Sequence, residues 1–481
     1  MLEKIIECIK NGICKVKTHS GEINRGDVFV AMPGVNKKGV DFIPQAIEKG
    51  ARYIISSDQK ALKYKDKIEI FLCNDIFSVL GELAKAQYNT SVLPYIIGIT
   101  GTNGKTTTTY LLEYIFRKAG IPTGVIGTIS YRWDGEEQES NLTTPGCLET
   151  HRLLSKMKNK VDVVLMEVSS HALDQRRIEG IEFDMAIFTN LSQDHLDYHK
   201  DMRSYFNAKK RLFSHYLKQG GLAITNLDDI YGKKLIDEGL ALFGYTFFDE
   251  NFIDISNTML SEVILSNRAE LIVEMEFRNK NWLSISSIVG RHNAYNMAAA
   301  QMAGLLFGLK ESLFYSFKEF SGIPGRLEKV YSQHGTDVYV DYAHTPDGLK
   351  NVLLTIRELG YRRIILVFGC GGDRDKEKRS KMGKIASTYA DFVVVTSDNP
   401  RSEEPEKIID DILIGINTDN YVVEVNRRRA IEIALEEMEE GDAVVVAGKG
   451  HEKYQYVKGE RLRFNDKEVI LDTLKHMAYE V

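Results

Sequence analysis

The sequence has few cysteines, and no two of them stand at a metal-binding spacing. The five cysteines are scattered along the chain at Cys8, Cys14, Cys73, Cys147 and Cys370. The absence of a CxxC pair argues against a zinc site, and the wide scatter argues against a disulfide framework. We therefore expect reduced thiols and a cytoplasmic protein.

Long apolar runs and an excess of positive charge are missing as well. No apolar run reaches the roughly 18 residues that a membrane-spanning helix needs, and no basic segment followed by an apolar core opens the chain, so we expect neither membrane insertion nor a signal peptide. The formal net charge of −6 argues against a general nucleic-acid surface. Any anionic ligand must then be bound by local loops.

The 481 residues alternate apolar strands with amphipathic helices, which predicts an α/β fold with three domains. Residues 1–92 are expected to form a small α/β domain. Residues 93–325 are expected to form a mainly parallel sheet, with residues 252–290 as a flanking layer of antiparallel strands. Residues 326–481 are expected to form a Rossmann-like, doubly wound domain.

A glycine turn between a β-branched strand and a helix is the main functional signal. It runs from Ile96 through Gly101-Thr-Asn-Gly-Lys-Thr106. The glycines let backbone N–H groups point at phosphate oxygens, Lys105 adds a positive charge, and the Thr106 hydroxyl suits a magnesium ion. Ile99 stands where the strict phosphate-loop motif has glycine, so the loop is a variant; an ordinary glycine-rich turn is the alternative.

A carboxylate and a histidine-containing loop are candidates for a metal site. Glu167 ends the strand 161–167, and ligands of open α/β sheets bind at such carboxyl strand ends. The loop Asp194-His-Leu-Asp-Tyr-His199 follows another strand. Magnesium prefers oxygen ligands, and a single histidine such as His195 is unusual but acceptable. A solvated turn is the alternative for this loop.

Three further residues admit two interpretations each. Asn293 could contact a nucleotide base or simply cap the helix that begins there. Arg326 and Asp341 flank the start of the third domain, and each could be a ligand contact or a member of a surface ion pair.

Three polar loops follow apolar strands in the third domain, so we expect them along one edge of its sheet. The first contains Gly369-Cys-Gly-Gly-Asp-Arg374, a poor match to a dinucleotide fingerprint because its third glycine would fall at Arg374. Arg374 and Arg401 could each bind a carboxylate, and Glu452 an ammonium group. Together they suit a zwitterionic amino acid; solvated loop charges are the alternative.

Six of these motifs occur in the order found in the Mur ligases, which the chain resembles over essentially its whole length. They are Gly101-Thr-Asn-Gly-Lys-Thr, Glu167-Val-Ser-Ser-His, Asp194-His-Leu-Asp-Tyr-His, Asp341-Tyr-Ala-His-Thr-Pro, Asp398-Asn-Pro-Arg and Gly448-Lys-Gly-His-Glu. Asp398-Asn-Pro-Arg401 resembles the motif of members that add meso-diaminopimelate, whereas lysine-adding members tend to differ at the arginine. The resemblance implies uridine-nucleotide, ATPase and amino-acid domains.

The implied reaction is ATP-dependent amide formation in peptidoglycan precursor synthesis. The γ-carboxyl of D-Glu in UDP-MurNAc-L-Ala-D-Glu would attack the γ-phosphate of ATP, and the amine of meso-diaminopimelate would displace phosphate from the acyl phosphate. The implied partners are therefore these three substrates and Mg²⁺, without nucleic acid, and we expect a monomer.

The resemblance also implies roles for individual residues, with Lys105, Lys209 and His195 as the catalytic ones. ATP would be bound by Gly101, Thr102, Asn103, Gly104, Lys105, Thr106, Thr107, Asn293, Arg326 and Asp341. Magnesium would be held by Thr106, Glu167, His195 and Lys209, the last matching a lysine that the family carbamylates. The UDP-MurNAc-dipeptide would meet Ser20, Val35, Asn36, Lys37, Asn141, Thr143, Thr144, Ser169, Gln175 and Arg177. Diaminopimelate would be bound by Arg374, Asp398, Asn399, Pro400, Arg401, Gly448 and Glu452.

The chain departs from the family pattern at two places. It has His19-Ser20-Gly21 where Asp-Ser-Arg is frequent, and Asn141-Leu-Thr-Thr144 in place of Asn-Thr-Thr.

Four other functions are alternatives to this ligase activity. They are the same ligation with L-lysine, a folylpolyglutamate synthase-like ligase, a nucleotide-driven switch or transporter ATPase, and a nicotinamide-binding dehydrogenase. The first domain and the Asp398–Arg401 loop disfavour the folylpolyglutamate synthase-like ligase. The lack of a transporter-type glycine-rich second motif and the presence of the third domain disfavour the switch or transporter ATPase. The dehydrogenase is supported only by the weak glycine loop.

Overall fold

The computed structural model describes residues 1–34 and 37–479. Two compact units can be distinguished by the density of contacts within them. The first comprises Met1–Thr100, Gly120–Ala186 and Ala208–Gly221, and the second comprises Gly101–Ala119, Ile187–Asn207 and Leu222–Val481. The chain therefore passes from the first unit to the second at Gly101, where the predicted phosphate loop begins.

The helices and strands alternate along most of the described chain, as expected for an α/β protein. The helices are α1 (Leu2–Lys10), α2 (Ile43–Glu48), α3 (Ile76–Tyr88), α4 (Lys105–Lys118), α5 (Cys147–Met157), α6 (Ser170–Asp174), α7 (Leu196–His199), α8 (Met202–Ser214), α9 (Ile230–Asp237), α10 (Arg291–Phe307), α11 (Pro346–Glu358), α12 (Glu377–Tyr389), α13 (Pro405–Leu413), α14 (Arg427–Glu436) and α15 (Asp466–Tyr479). Within the described ranges, none of them is long and apolar enough to cross a membrane.

The strands are mostly short. They are β1 (Val16–Lys17), β2 (Val28–Val30), β3 (Tyr53–Ser56), β4 (Glu69–Leu72), β5 (Tyr95–Thr100), β6 (Thr123–Ile126), β7 (Ser130–Trp133), β8 (Glu136–Glu139), β9 (Val163–Glu167), β10 (Phe183–Phe188), β11 (Leu217–Asn226), β12 (Phe243–Thr246), β13 (Thr258–Ser266), β14 (Leu271–Phe277), β15 (Lys280–Ser286), β16 (Ser316–Phe317), β17 (Glu328–Gln333), β18 (Thr336–Asp341), β19 (Ile364–Phe368), β20 (Phe392–Val395), β21 (Tyr421–Val423), β22 (Ala443–Ala447), β23 (Tyr454–Val457) and β24 (Glu460–Arg463).

The first unit contains a parallel sheet in the order β1-β2-β3-β4. Residues of its strands alternate between two apolar clusters, one including Ile5 and Leu83 and the other including Ile43 and Ala46. In the same unit β9 lies between β5 and β6, parallel to both, and the hairpin strands β7 and β8 continue from β6. The predicted strand before the phosphate loop and the strand that ends at Glu167 are thus neighbours.

The second unit contains the antiparallel strands predicted for residues 252–290. Strands β13, β14 and β15 pair antiparallel, and β11 and β12 precede them in parallel. Helix α10 packs beside α4, the helix that follows the phosphate loop.

The last sheet of the second unit has the order β17-β18-β22-β19-β20-β21. Its strands are parallel except for β17, which is antiparallel to β18. Alternate residues of β19 enter opposite apolar clusters, with Leu366 on one face and Val367 on the other. Helices cover both faces, so this is the doubly wound arrangement expected of residues 326–481.

The predicted organisation in three domains, with boundaries after residues 92 and 325, stays a prediction. The fold class itself, α/β with mainly parallel sheets, agrees with the strand pairing described above.

Candidate active site

The phosphate loop has a backbone that only glycine adopts easily. Helix α4 begins at Lys105, and Gly104 before it has φ +87°. A Cβ atom on Gly104 would lie 2.3 Å from Asn296 Oδ1, and one on Gly101 would lie 1.9 Å from Thr189 Oγ1. Both glycines are therefore required by the fold of the loop and by its neighbours.

The loop is anchored by residues that follow β10. The Asn103 backbone N–H donates to Asn190 Oδ1 at 2.9 Å, and the Asn103 carbonyl accepts from Thr189 Oγ1 at 2.6 Å and Asn190 Nδ2 at 3.1 Å. The sequence analysis did not single out Thr189 or Asn190. Their position directly after an apolar strand was the available signal, because such strand ends carry ligand-binding loops.

The Lys105 side chain lies over the predicted phosphate loop. Its ammonium group donates to the carbonyls of Gly101 at 2.8 Å and Thr102 at 2.9 Å. Thr106 and Thr107 are buried in the first turn of α4. The loop thus has a cation and a helix N-terminus close together, an arrangement suited to an anionic ligand.

A cavity of about 380 Å³ opens beside the loop within the second unit. Its size is within the range of small-molecule sites. The cavity brings together six residues that the sequence analysis assigned to ATP: Asn103, Gly104, Thr107, Asn293, Arg326 and Asp341.

Asp341 is buried and Arg326 half-buried at this cavity, so the alternative of a surface ion pair is wrong for Asp341. The Asp341 carboxylate accepts from the backbone N–H groups of Leu327 at 2.6 Å and Ala343 at 2.7 Å. Burial raises the pKa of Asp341 although the charge of Arg326 acts to lower it. The Arg326 guanidinium stacks on the Tyr342 ring at 4.8 Å, and its buried Nε has no hydrogen-bond partner among the described residues. Arg326 also lines the cavity.

Asn293 is not the cap of its helix, so the capping alternative is wrong. Helix α10 has Gly290 as its N-cap, and Asn293 lies in the first turn. The Asn293 side chain donates to the Val289 carbonyl at 2.8 Å and accepts from Asn296 Nδ2 at 3.2 Å. These bonds hold the amide at the cavity wall.

The four predicted magnesium ligands are divided between the two units. Glu167 and Lys209 belong to the first unit, and Thr106 and His195 to the second. Among the described residues, no cluster of three or more His, Cys, Asp or Glu side chains could hold a metal ion. Of the four predicted magnesium ligands, only Glu167 and His195 are of these residue types, so the predicted set is not a cluster of carboxylates.

Glu167 and Lys209 are both almost fully buried. The Glu167 carboxylate accepts from the Thr128 backbone N–H at 3.0 Å and from its hydroxyl at 2.8 Å. Since a buried charge is costly without partners, these bonds keep the carboxylate in place at the end of β9.

His195 lies in a loop that is less irregular than the sequence suggested. The loop contains the short helix α7, and His195 before it has φ 54°. His195 Nε2 is 3.3 Å from Asp194 Oδ2. A left-handed backbone at a non-glycine residue is uncommon and occurs often at functional sites.

The residues assigned to the peptide and sugar of the first substrate form one group in the first unit. Thr144 Oγ1 donates to the Glu167 carbonyl at 2.9 Å and accepts from the Ser169 N–H at 3.0 Å. Arg177 donates to Gln175 Oε1 at 2.6 Å and to the Thr144 carbonyl at 3.1 Å. The Thr143 hydroxyl bonds to Thr128, which also contacts Glu167.

The other residues assigned to this substrate have separate surroundings. Ser20 is buried and donates to Gln45 Oε1 at 2.6 Å. Lys37 and Asn141 are exposed. Val35 and Asn36 lie outside the described residues.

The three polar loops of the last sheet do meet at one edge, because β22, β19 and β20 are adjacent. A Cβ on Gly448 would lie 2.6 Å from Asp398 Oδ2, so the loops after β20 and β22 touch. The Arg401 guanidinium donates to the Gly372 carbonyl at 2.7 Å. Burial and the positive charge of Arg374 lower the pKa of Arg401. Two cations thus lie close together, an arrangement that favours an anionic group between them.

The carboxylates and amide at this edge have unequal surroundings. Asp398 Oδ2 is buried without a hydrogen-bond partner among the residues described. Glu452 accepts from Asn399 Nδ2 at 2.8 Å and from Lys449 Nζ at 2.9 Å. Pro400 is buried next to Asn399. The sequence analysis missed Lys449, although it lies within the Gly448–Glu452 motif.

A buried ion pair supports the same edge and was also missed. Arg427 and Asp466 are paired at 2.8 Å with both side chains fully buried. Arg427 also donates to the carbonyls of Ser397 at 3.4 Å and Ala447 at 3.0 Å, which precede Asp398 and Gly448. The two residues are 39 positions apart, and no local pattern links them.

Comparison with family models gives three matches along the chain. Residues 13–91 match the Mur ligase family catalytic domain, residues 99–304 the Mur ligase middle domain, and residues 325–450 the Mur ligase glutamate ligase domain.

Curated relatives extend over nearly the full chain. The chain is 47% identical over 454 residues to UDP-N-acetylmuramoyl-L-alanyl-D-glutamate--2,6-diaminopimelate ligase of Lawsonia intracellularis, covering 94% of each protein. It is 40% identical to the protein of the same name from Clostridium botulinum, covering 97% of this chain and 96% of the relative.

Solved structures resemble the chain over similar lengths. A structure of UDP-N-acetylmuramoyl-L-alanyl-D-glutamate--2,6-diaminopimelate ligase matches with a TM-score of 0.67 and 29% identity, covering 96% of this chain and 95% of that one. MurF ligase from Thermotoga maritima in complex with ADP matches with a TM-score of 0.61 at 18% identity, covering 97% of this chain and 98% of that one. At 18% identity, the similarity to the MurF ligase shows a shared fold only.

Proposed function

Because the chain belongs to the Mur ligase family, we propose that it is an ATP-dependent ligase joining 2,6-diaminopimelate to UDP-N-acetylmuramoyl-L-alanyl-D-glutamate. The relatives at 40–47% identity carry the name of this reaction. Its substrates, a nucleotide-linked precursor and ATP, would place the enzyme in the cytoplasm.

One observation supports the choice of amino acid: the Asp398–Arg401 loop lies against Gly448 at the end of the neighbouring strand. Arg401 and Arg374 provide cations for a carboxylate, and Asp398 provides a buried carboxylate oxygen for an ammonium group. The distal end of diaminopimelate carries both a carboxylate and an ammonium group, whereas that of lysine carries only an ammonium group. Arg374 and Arg401 are therefore the residues expected to distinguish diaminopimelate from lysine.

The cavity beside the phosphate loop is proposed as the ATP site. Backbone N–H groups at the start of α4 and the Lys105 ammonium would bind the phosphates. Arg326 and Asn293, which both line the cavity, would contact the nucleotide. The role of these residues is positioning and charge neutralisation, which is the main contribution of proteins to phosphoryl transfer.

The reaction is proposed to proceed in two balanced steps. The γ-carboxylate of D-Glu attacks the γ-phosphorus of ATP, so the bond to the bridging oxygen breaks and ADP leaves as an acyl phosphate forms. The neutral amine of diaminopimelate then attacks the acyl carbon, the amide forms, and phosphate leaves as the nitrogen loses a proton. Burial of the site would limit hydrolysis of the acyl phosphate.

Magnesium is proposed as the metal, and the residues that the family resemblance assigns to it are Thr106, Glu167, His195 and carbamylated Lys209. A hydroxyl and a carboxylate are oxygen donors of the kind that magnesium prefers, and carbamylation would convert Lys209 from a cation into an oxygen donor. The ion would neutralise charge on the phosphates. In this chain Thr128 would keep the Glu167 carboxylate oriented.

The proposal is tested by the release of ADP in the presence of the UDP-MurNAc-dipeptide and a panel of amino acids. Turnover should depend on meso-diaminopimelate and should be much weaker with L-lysine. Robust turnover with lysine and none with diaminopimelate would reject the substrate assignment.

An arginine variant sharpens the test. Arg401→Ala should raise the KM for diaminopimelate roughly 10- to 100-fold, because a charge-assisted hydrogen bond contributes about 1.5–3 kcal/mol. The KM for ATP should stay unchanged. Arg463→Ala is the matched control, since the Arg463 side chain is 78% exposed and pairs with Glu468 at the surface. A normal KM for diaminopimelate in Arg401→Ala would contradict the assignment.

A further inference from the structure

Lys449 is a fully buried lysine at the sheet edge where the amino acid is proposed to bind. None of its side chain is exposed, and it follows Gly448, the first residue after β22. Its ammonium group donates to Asn399 Oδ1 at 3.1 Å, Glu452 Oε2 at 2.9 Å and the Tyr454 carbonyl at 2.6 Å. An ammonium has three N–H donors, so these three acceptors satisfy it fully.

These contacts connect two different loops. Asn399 comes from the loop after β20, and Glu452 comes from the loop after β22. The two side chains also bond directly, since Asn399 Nδ2 donates to Glu452 Oε2 at 2.8 Å. Asn399 Oδ1 additionally accepts from the Tyr456 N–H at 3.0 Å. Lys449 is thus the centre of a closed hydrogen-bond network that fixes both side chains relative to each other.

The charge of Lys449 has a consequence for the carboxylate beside it. Glu452 is 28% exposed along its side chain, and its Oε2 is paired with the fully buried Lys449. A carboxylate near a low-dielectric interior needs a counter-charge to remain in position. Lys449 provides that counter-charge without reaching the site itself, because it is completely buried.

We propose that Lys449 is a positioning residue, which holds Glu452 and Asn399 in the geometry that binds the distal end of the amino-acid substrate. This inference rests on the proposed function. It predicts that Lys449 affects the binding of the amino acid and leaves the binding of ATP and of the UDP-MurNAc-dipeptide unchanged.

The test compares the neutral variant Lys449→Met with Lys453→Met, which removes an exposed lysine of the same loop region. Lys449→Met should raise the KM for diaminopimelate about 10- to 100-fold, the range expected when a hydrogen-bonded charge is lost. The KM for ATP should change less than about two-fold, and Lys453→Met should behave as the unsubstituted enzyme. An unchanged KM for diaminopimelate would overturn the proposal, and so would an equal rise of all three KM values.

A double-mutant cycle separates positioning from general damage. If Lys449 acts through Glu452, Glu452→Gln should raise the KM for diaminopimelate in the unsubstituted enzyme and have a much smaller effect in Lys449→Met. Independent, multiplicative effects would overturn the proposal.

Two further variants test the proposal if Lys449→Met does not fold. Lys449→Gln keeps amide donors for Glu452 and Asn399, and Lys449→Met/Glu452→Gln removes both charges together. In Lys449→Gln the KM for diaminopimelate should still rise because the charge is lost, and in the double variant it should rise no further than in Glu452→Gln alone. An unsubstituted enzyme that shows no turnover with diaminopimelate would instead reject the proposed function, and the comparison would then use the amino acid that it accepts.

Discussion

Replacing Gly104 with alanine should weaken nucleotide binding strongly. Gly104 has φ +87° and ψ −13°, and a non-glycine residue there costs roughly 1–3 kcal/mol. The new Cβ would lie 2.3 Å from Asn296 Oδ1, so Asn296 must move. That movement would break one of its two bonds, to Asn293 at 3.2 Å or to Thr108 at 3.4 Å, which costs about 1 kcal/mol.

The sum of these terms is about 2–4 kcal/mol. If the loop relieves the strain by leaving its ligand-binding conformation, that energy must be supplied again when the nucleotide binds. The expected loss of affinity is then about 30- to 700-fold, at 1.4 kcal/mol for each factor of ten.

Isothermal titration with ADP and ATP measures this loss, and Gly120→Ala is the matched control. Gly120 also has a positive φ, +75°, but a Cβ there would meet nothing within 4 Å. Both variants should lose some stability in thermal unfolding because both place alanine in the left-handed region. Only Gly104→Ala should lose nucleotide affinity. Normal ADP binding by Gly104→Ala would refute the assignment of this loop.

Two further predictions concern buried groups away from the phosphate loop. Asp466→Asn should lower the free energy of unfolding by about 3–5 kcal/mol, because Arg427 would remain fully buried without its carboxylate; a loss under about 1 kcal/mol in denaturant titration would contradict this. Burial lowers the pKa of His151 to about 4, and its neutral ring lies between Thr90 Oγ1 at 2.5 Å and the Glu179 carbonyl at 2.9 Å. Since the unfolded state takes up the proton first, stability should fall as the pH drops from about 6.5 to about 4, and His151→Gln should remove that part of the slope; an identical slope in the variant would argue against it.

The sequence predicted those parts of the site that depend on local order along the chain. The phosphate loop at Gly101 and the carboxylate Glu167 were found because an apolar strand precedes each of them, and strand ends of parallel sheets share an edge. The same reasoning placed Arg374, Arg401 and Glu452 together. Adjacent strands β19, β20 and β22 confirm that their loops share an edge.

Contacts between side chains from distant segments could not be predicted in this way. Asn296 limits the space at Gly104 from 192 positions away, as the contact of 2.3 Å shows. Lys449 was overlooked because a lysine in a glycine-rich loop is usually solvated, and only the fold reveals that it is fully buried. Hydrophobic periodicity carries information about faces and edges, and it carries none about which buried cation meets which acceptor.

The amino-acid end of the site combines cations of two kinds. Lys449 and Arg427 are fully buried and satisfied by protein acceptors, so they fix the loop ends that bear the predicted contacts. Burial lowers the pKa of Arg401, and repulsion between its charge and that of Arg374 lowers it further. A bound carboxylate would relieve that repulsion, and a bare ammonium would not. If the buried Arg427–Asp466 ion pair were responsible for selectivity, Asp466→Asn would change the preference for diaminopimelate over lysine. Because Arg401 and Arg374 are the cations that repel each other, we expect Arg401→Ala to change that preference. Asp466→Asn should lower stability and leave the preference unchanged, which the amino-acid panel and the denaturant titration together can decide.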